Sequence, residues 1–168
     1  MPTLPGAAIP RDSTLPRGIR NRNPGNLRHG DDWQGLSATQ GDAAFCQFDD
    51  PVYGLRALMR VLLNYRRKAD GQGKRIVTIR QAFNRWAPPK ENDTNAYVNT
   101  VARRLGVDPD APVDWASAET LIGMARAIVT HENGRAPQDF PADWYSPEQY
   151  HRAAMMALGL VDVRHGGA

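Results

Sequence analysis

Apolar residues recur at helical spacing in five stretches of this chain and are scattered elsewhere. After Asp50-Pro51, the residues Val52, Leu55, Leu58, Leu62 and Tyr65 fall three and four apart and mark one buried stripe. Asp50 suits an N-cap and Pro51 the first helical position. Gly71 and Gly73 place the end of this helix near Ala69. A second helix fits Ile79, Ala82, Phe83 and Trp86 and stops at Pro88-Pro89. A third starts with Asn92 or Asp93 as cap and runs through Tyr97, Val98, Val101, Ala102 and Leu105 to Gly106. A fourth starts near Ser117 and carries Leu121, Ile122, Ala125, Ile128 and Val129. A fifth, weaker one spans Pro147 to Leu158.

The rest reads differently. Residues 1–16 hold four prolines and no periodic apolar pattern, which predicts a flexible arm. Residues 17–50 are rich in Asn, Gly and Asp, with Trp33, Leu36, Phe45 and Phe48 between turn signals. They predict loop and a small β-hairpin, with a strand near residues 43–48. Residues 159–168 read as a frayed tail. The expected fold is mainly α (α+β), a single domain over 17–158 with a small N-terminal β-hairpin.

Length and composition fit one globular domain: 168 residues, 41% apolar and 23% charged. The net charge is +3, and Arg11, Arg17, Arg20, Arg22 and Arg28 gather against one acid, Asp12. Such a block is either a solvated basic arm or a patch that attracts polyanions such as cell-wall polymers. A helix-turn-helix signature and interleaved exposed aromatics are lacking, which argues against nucleic acid. The lone Cys46 excludes an intrachain disulfide and a cysteine-rich zinc site. No metal or cofactor motif is found, and no run is long enough to span a membrane. The N-terminus lacks the basic and apolar regions of a secretory signal, so an action in the periplasm requires another delivery route.

Glu132 is out of place on general grounds. It sits in AIVTHENGRAP, on the last turn of the fourth helix, where a carboxylate loses roughly 0.3–1 kcal/mol to the helix dipole. It also extends the apolar stripe of Leu121, Ala125, Ile128 and Val129, while Gly134 suits the closing position. Partial burial and the negative helix end both favour a protonated acid, as a general acid for glycosidic cleavage requires. The commoner situation for such a glutamate is a side chain turned to solvent or paired with Arg126 or Arg135.

AIVTHENGRAP resembles the glutamate helix of lytic transglycosylases and related glucosaminidases, which ends on the catalytic acid. NPGNLR, WQG and FCQFDDPVYGLRAL are similar to another part of the flagellar glucosaminidase pattern. RGIRNRNPGNLR, WAPPKENDTNAYV and HENG together resemble a family of phage and prophage virion proteins related to the muralytic lysin of enveloped double-stranded-RNA phages. This second resemblance covers roughly residues 17–135. It implies a lysozyme-like domain acting on peptidoglycan glycan strands, carried in a phage particle alongside other virion proteins or made in the host cytoplasm before lysis. In the glucosaminidases the glutamate helix precedes the NPGNL-like segment, so the order here implies circular permutation.

Other candidates have ordinary alternatives. Glu91, before a helix start, is a reserve acid or an N-terminal dipole partner. Asp42 and Asp49 are the choices for a second carboxylate, Asp50 being committed to capping and Asp49 also suiting an Asx turn. Lytic transglycosylases need one acid, so an absent partner favours that chemistry. Asn23, Gly25 and Asn26 of the NPGN loop suit either glycan hydrogen bonding or a plain turn. Trp33 and Tyr53 could stack on sugar, whereas Trp86 and Tyr97, at helical spacing, read as core. Cys46 with a histidine could act as an endopeptidase nucleophile, but a small core residue is much the commoner role.

Overall fold

The structure, a computed structural model, describes residues 14–89 and 93–161. Glu91, the N-terminal arm up to residue 13 and the tail beyond 161 lie outside the described residues. The elements are α1 (Arg17–Arg20), α2 (Pro51–Tyr65), α3 (Ile79–Trp86), α4 (Thr94–Leu105), α5 (Ala118–Asn133) and α6 (Pro147–Ala157). The fold is mainly α.

Capping chemistry sets the helix starts. The side chain of Asp50 accepts from Val52 N at 2.8 Å to open α2. Thr78 and Gln81 form a reciprocal capping box on α3, as do Ser146 and Gln149 on α6. Asp93 opens α4 and Ser117 opens α5. Gly106 (φ 66°) and Gly134 (φ 77°) close α4 and α5 in the positive-φ region that a Cβ disfavours. The expected end of α2 near Ala69 is corrected to Tyr65. Past Tyr65 the amides of Arg66, Arg67 and Lys68 bond to carbonyls three residues back, and Asp70 Oδ1 then accepts from Gln72 N and Lys74 N in a turn that returns Arg75 against Ala69.

Helix α2 runs through the core against α5 and α6, while α3 packs on α4 and α4 on α5. Leu55, Leu58, Leu62, Leu121, Met124 and Tyr150 are fully buried there. Each such side chain contributes roughly 1.5–3 kcal/mol of burial. A smaller cluster of Cys46, Phe48 and Ala57 lies under the N-terminal loops, roofed by Leu27, Trp33, Leu36 and Tyr53.

The expected β-hairpin is corrected. Among the described residues there is no strand, and residues 27–48 make only the isolated antiparallel bridges Arg28–Phe45 and Leu36–Phe48. Polar side chains intercept the backbone groups a ladder would pair. Asp42 Oδ1 accepts from Ala44 N and Phe45 N, and Gln40 Oε1 accepts from Gln47 N. Asn21 O takes the Phe48 amide. One turn of helix, α1, also forms where the sequence reads as loop.

Candidate functional site

The NPGN loop and the end of α5 meet. Asn26 Nδ2 donates to Glu132 Oε2 at 3.0 Å across 106 residues of sequence. Both partners are half-buried. Asn26 holds a left-handed backbone (φ 49°), which asparagine tolerates better than most residues. Arg126, one of two arginines that could have neutralised Glu132, is turned to Asp143 (3.7 Å) and lies over the Tyr150 ring.

Neighbouring residues fix this junction. Asn23 is fully buried, donating to Leu27 O and Cys46 O and accepting from Leu27 N at 2.9–3.0 Å. It is therefore occupied in shaping the loop. Gly25 packs on Leu58 of α2. Asn133, which follows the glutamate, is buried and donates to Pro24 O at 2.8 Å and Val129 O at 2.9 Å. Gly18 of α1 completes the contact. A Cβ there would overlap Asn133 Oδ1 and come within 2.9 Å of Asn26 Oδ1. Those two oxygens are buried without a conventional hydrogen-bond partner among the described residues. The absence of a side chain at Gly18 leaves room for both oxygens.

Gly18 and Asn133 were not singled out in the sequence. Their signals are faint: a glycine inside RGIRNRN, and an asparagine next to the glycine that closes the helix. The other end of the junction is pinned by Trp144, whose indole donates to Gly134 O at 2.8 Å. On the flank, His131 meets the Tyr97 ring edge-on at 4.5 Å, and Tyr97 also stacks on Phe83.

The remaining candidates fall elsewhere. The Asp42 carboxylate takes a bidentate clamp from Arg17 at 2.6 and 2.7 Å and a bond from Asn21. That clamp holds it far below the usual carboxylate range. Asp49 is exposed, its amide donating to Gly35 O. Asp50 keeps its capping role, and burial pushes its carboxyl up. Tyr53 packs on Gly35, whose added Cβ would collide with the ring. Trp33 lines a cleft with Asn64, Tyr65 and Arg85, at the end of α2 away from Gly25 and Leu58. Cys46 is buried, and burial pushes its thiol up, which disfavours the thiolate a nucleophile requires.

The arginine block is largely spent inside the molecule. Arg17 and Arg28 flank the Phe45 ring, Arg20 donates to Leu15 O, and Arg22 donates to Asp49 O. Among the described residues no group of three or more metal-ligating side chains forms, and no helix is long and apolar enough to cross a membrane.

The site thus defines a mainly helical protein with a glutamate at a helix end, held by an asparagine from an N-terminal loop. No family model matches the chain. It is 34% identical over 128 residues to Protein P5 of Pseudoalteromonas phage PM2, covering 74% of this chain and 75% of that protein. The chain therefore belongs to the family of this phage protein.

Proposed function

We propose that the protein cleaves the glycan strand of peptidoglycan, with Glu132 as general acid and then base. The observation that carries this reading is the Asn26–Glu132 hydrogen bond. It joins the NPGN and HENG motifs, which share a resemblance to wall-cleaving enzymes but lie far apart in sequence. In the lytic transglycosylase form, the Glu132 carboxyl gives its proton to the glycosidic oxygen as the C1–O bond breaks. The carboxylate then takes the proton of the same sugar's C6 hydroxyl as that oxygen closes on C1. No water is consumed and the acid is regenerated. Asn26 engages Oε2, which leaves Oε1 for proton transfer. The fold in this reading is lysozyme-like and circularly permuted relative to glucosaminidases. The enzyme is encoded by a phage or prophage, carried in or with the particle, and acts in the periplasm.

A second reading has its own observation. Glu132 already spends one oxygen inside the molecule, so the contact could serve only to tie α5 to the loop of a non-catalytic virion component.

One experiment separates the two. Purified protein is incubated with isolated peptidoglycan, and the soluble products are identified by mass spectrometry. Anhydro-muramyl ends indicate transglycosylation, and reducing ends indicate hydrolysis. Glu132→Gln keeps the hydrogen bond to Asn26 and should lower release by about 10²–10⁴-fold, the span of general acid–base catalysis. Free peptides, or no release by the native chain, would remove the glycosidase reading.

A further inference from the structure

The glutamate junction leaves a second feature unused. Residues 60–89 hold eight cations, from Arg60 to Arg85, against a single acid, Asp70. Some are committed: Arg80 pairs with Asp110, Arg60 donates to Ala157 O, and Arg75 donates to Arg66 O. Lys68 and Arg85 instead line a cleft of about 880 Å³ just past the end of α2. The loop segment lines the same cleft with the exposed pair Asp31 and Asp32. Trp33, Asn64 and Tyr65 line it too. The Arg85 guanidinium sits 5.5 Å from the centre of the Tyr65 ring, which restrains it at the cleft. Arg85 also lines a second cleft of about 540 Å³ with Gln72, Gln81 and Asn84, so the two share a wall.

A solvated basic face would present cations alone. Here the acids come from the loop segment and the cations from just past α2 and from α3, and all line one cavity of ligand size. Two aspartates at the rim repel a polyphosphate chain, which argues against nucleic acid. They favour a ligand that carries an amine as well as carboxylates.

We propose that this cleft binds a short peptide bearing free carboxylates and an amine, of the kind that branches from the glycan of the bacterial wall. Its carboxylates meet Lys68 and Arg85, its amine meets Asp31 and Asp32, and its aliphatic parts lie on Trp33 and Tyr65. The choice of a wall peptide rests on the wall-cleaving reading; the mixed charge of the cleft lining does not. The NPGN loop and the cleft both rest on α2. Gly25 packs on Leu58, and the cleft begins with Val61, Asn64 and Tyr65 on the same helix. That separation is about 5–10 Å along α2, from the rise of an α-helix.

The test is a titration of the full chain, by calorimetry or NMR, with a synthetic tetrapeptide of L-Ala, γ-linked D-Glu, L-Lys and D-Ala. A second titrant is the same peptide with both amines acetylated. Saturable binding is expected, weakened at least five-fold by acetylation. Lys68→Glu, an exposed position, should weaken the free peptide at least ten-fold with an unchanged thermal midpoint. The double variant Asp31→Asn, Asp32→Asn should bind the free and acetylated peptides alike. No saturable binding, indifference to Lys68→Glu, or equal binding of both peptides by the native chain overturns the inference. So does tighter, Lys68-dependent binding of a single-stranded oligonucleotide. Glu132→Gln should bind the peptide as the native chain does, so a failure of wall cleavage and a failure of peptide binding are read separately.

Discussion

The helical body and the loop segment 17–50 hold their backbones in place by different means. In the body, helices satisfy their own amides and capping side chains finish the ends, so burial of Leu55, Leu62 and Leu121 is free to supply the driving force. In the loop segment only a small apolar cluster forms, and side chains satisfy much of the backbone: Asn23, Gln40, Asp42 and Gln47. The body gives rigidity without committing its surface. The loop gives a particular backbone shape at the expense of most of its polar groups. Glu132 stands where the two meet, on the end of a body helix and bonded to a loop asparagine.

The contrast can be broken from the body first. Leu62→Ala removes a fully buried side chain from the centre of α2 and should destabilise the whole protein by about 2–5 kcal/mol. Hydrogen exchange should accelerate in loop and helices alike. Asn23→Ala strikes the other regime. It strands Leu27 N, Leu27 O and Cys46 O, and an unsatisfied buried group costs about 1–3 kcal/mol. Exchange should rise over residues 21–48 and stay near native in α4 and α6. Uniform acceleration there would mean that loop and body unfold together.

Gly18→Ala tests the boundary. The added methyl must displace Asn133 and Asn26, with overpacking on the order of 1–3 kcal/mol. Any wall-cleaving activity should fall by more than the loss of folded protein accounts for, measured as release per mole of folded enzyme.

The smallest expected effect is in pH. The Arg17 clamp holds Asp42 below its ordinary value, so its contribution is present above about pH 4 and is lost as the pH falls further. Burial raises Asp50, so its contribution is present below its ordinary value and is lost as the pH rises through the raised one. Asp42→Asn should flatten the acid limb of a thermal-midpoint profile. Asp50→Asn, which can still cap α2, should flatten the drop above it. A profile unchanged by both variants would show that neither carboxyl differs between folded and unfolded chains.

The same division explains what could be read from the residues alone. Helices α3 to α6 were legible because a stripe at three-and-four spacing, a cap and a stop signal are all local. The stop of α2 is not legible, because the chain past Tyr65 tightens into turns bonded three residues back before any glycine or proline is reached. The loop segment was legible as irregular but not in shape. Its Asn and Asp residues read as turn formers, sugar ligands or a second carboxylate, while Asn23 and Asp42 are consumed by partners up to 25 residues away. Glu132 was visible because it offends a local rule. Asn133 and Gly18 offend none, and only the fold brings them together.

The bond between Asn26 and Glu132 also has a consequence in time. Its two members are 106 residues apart, and the helix carrying the acid comes late in the chain. A ribosome releases the loop long before it releases α5, so a nascent or truncated polypeptide carries half of the pair and none of the geometry. If the completed junction is what attacks the wall, no fragment that stops short of the glutamate can do so.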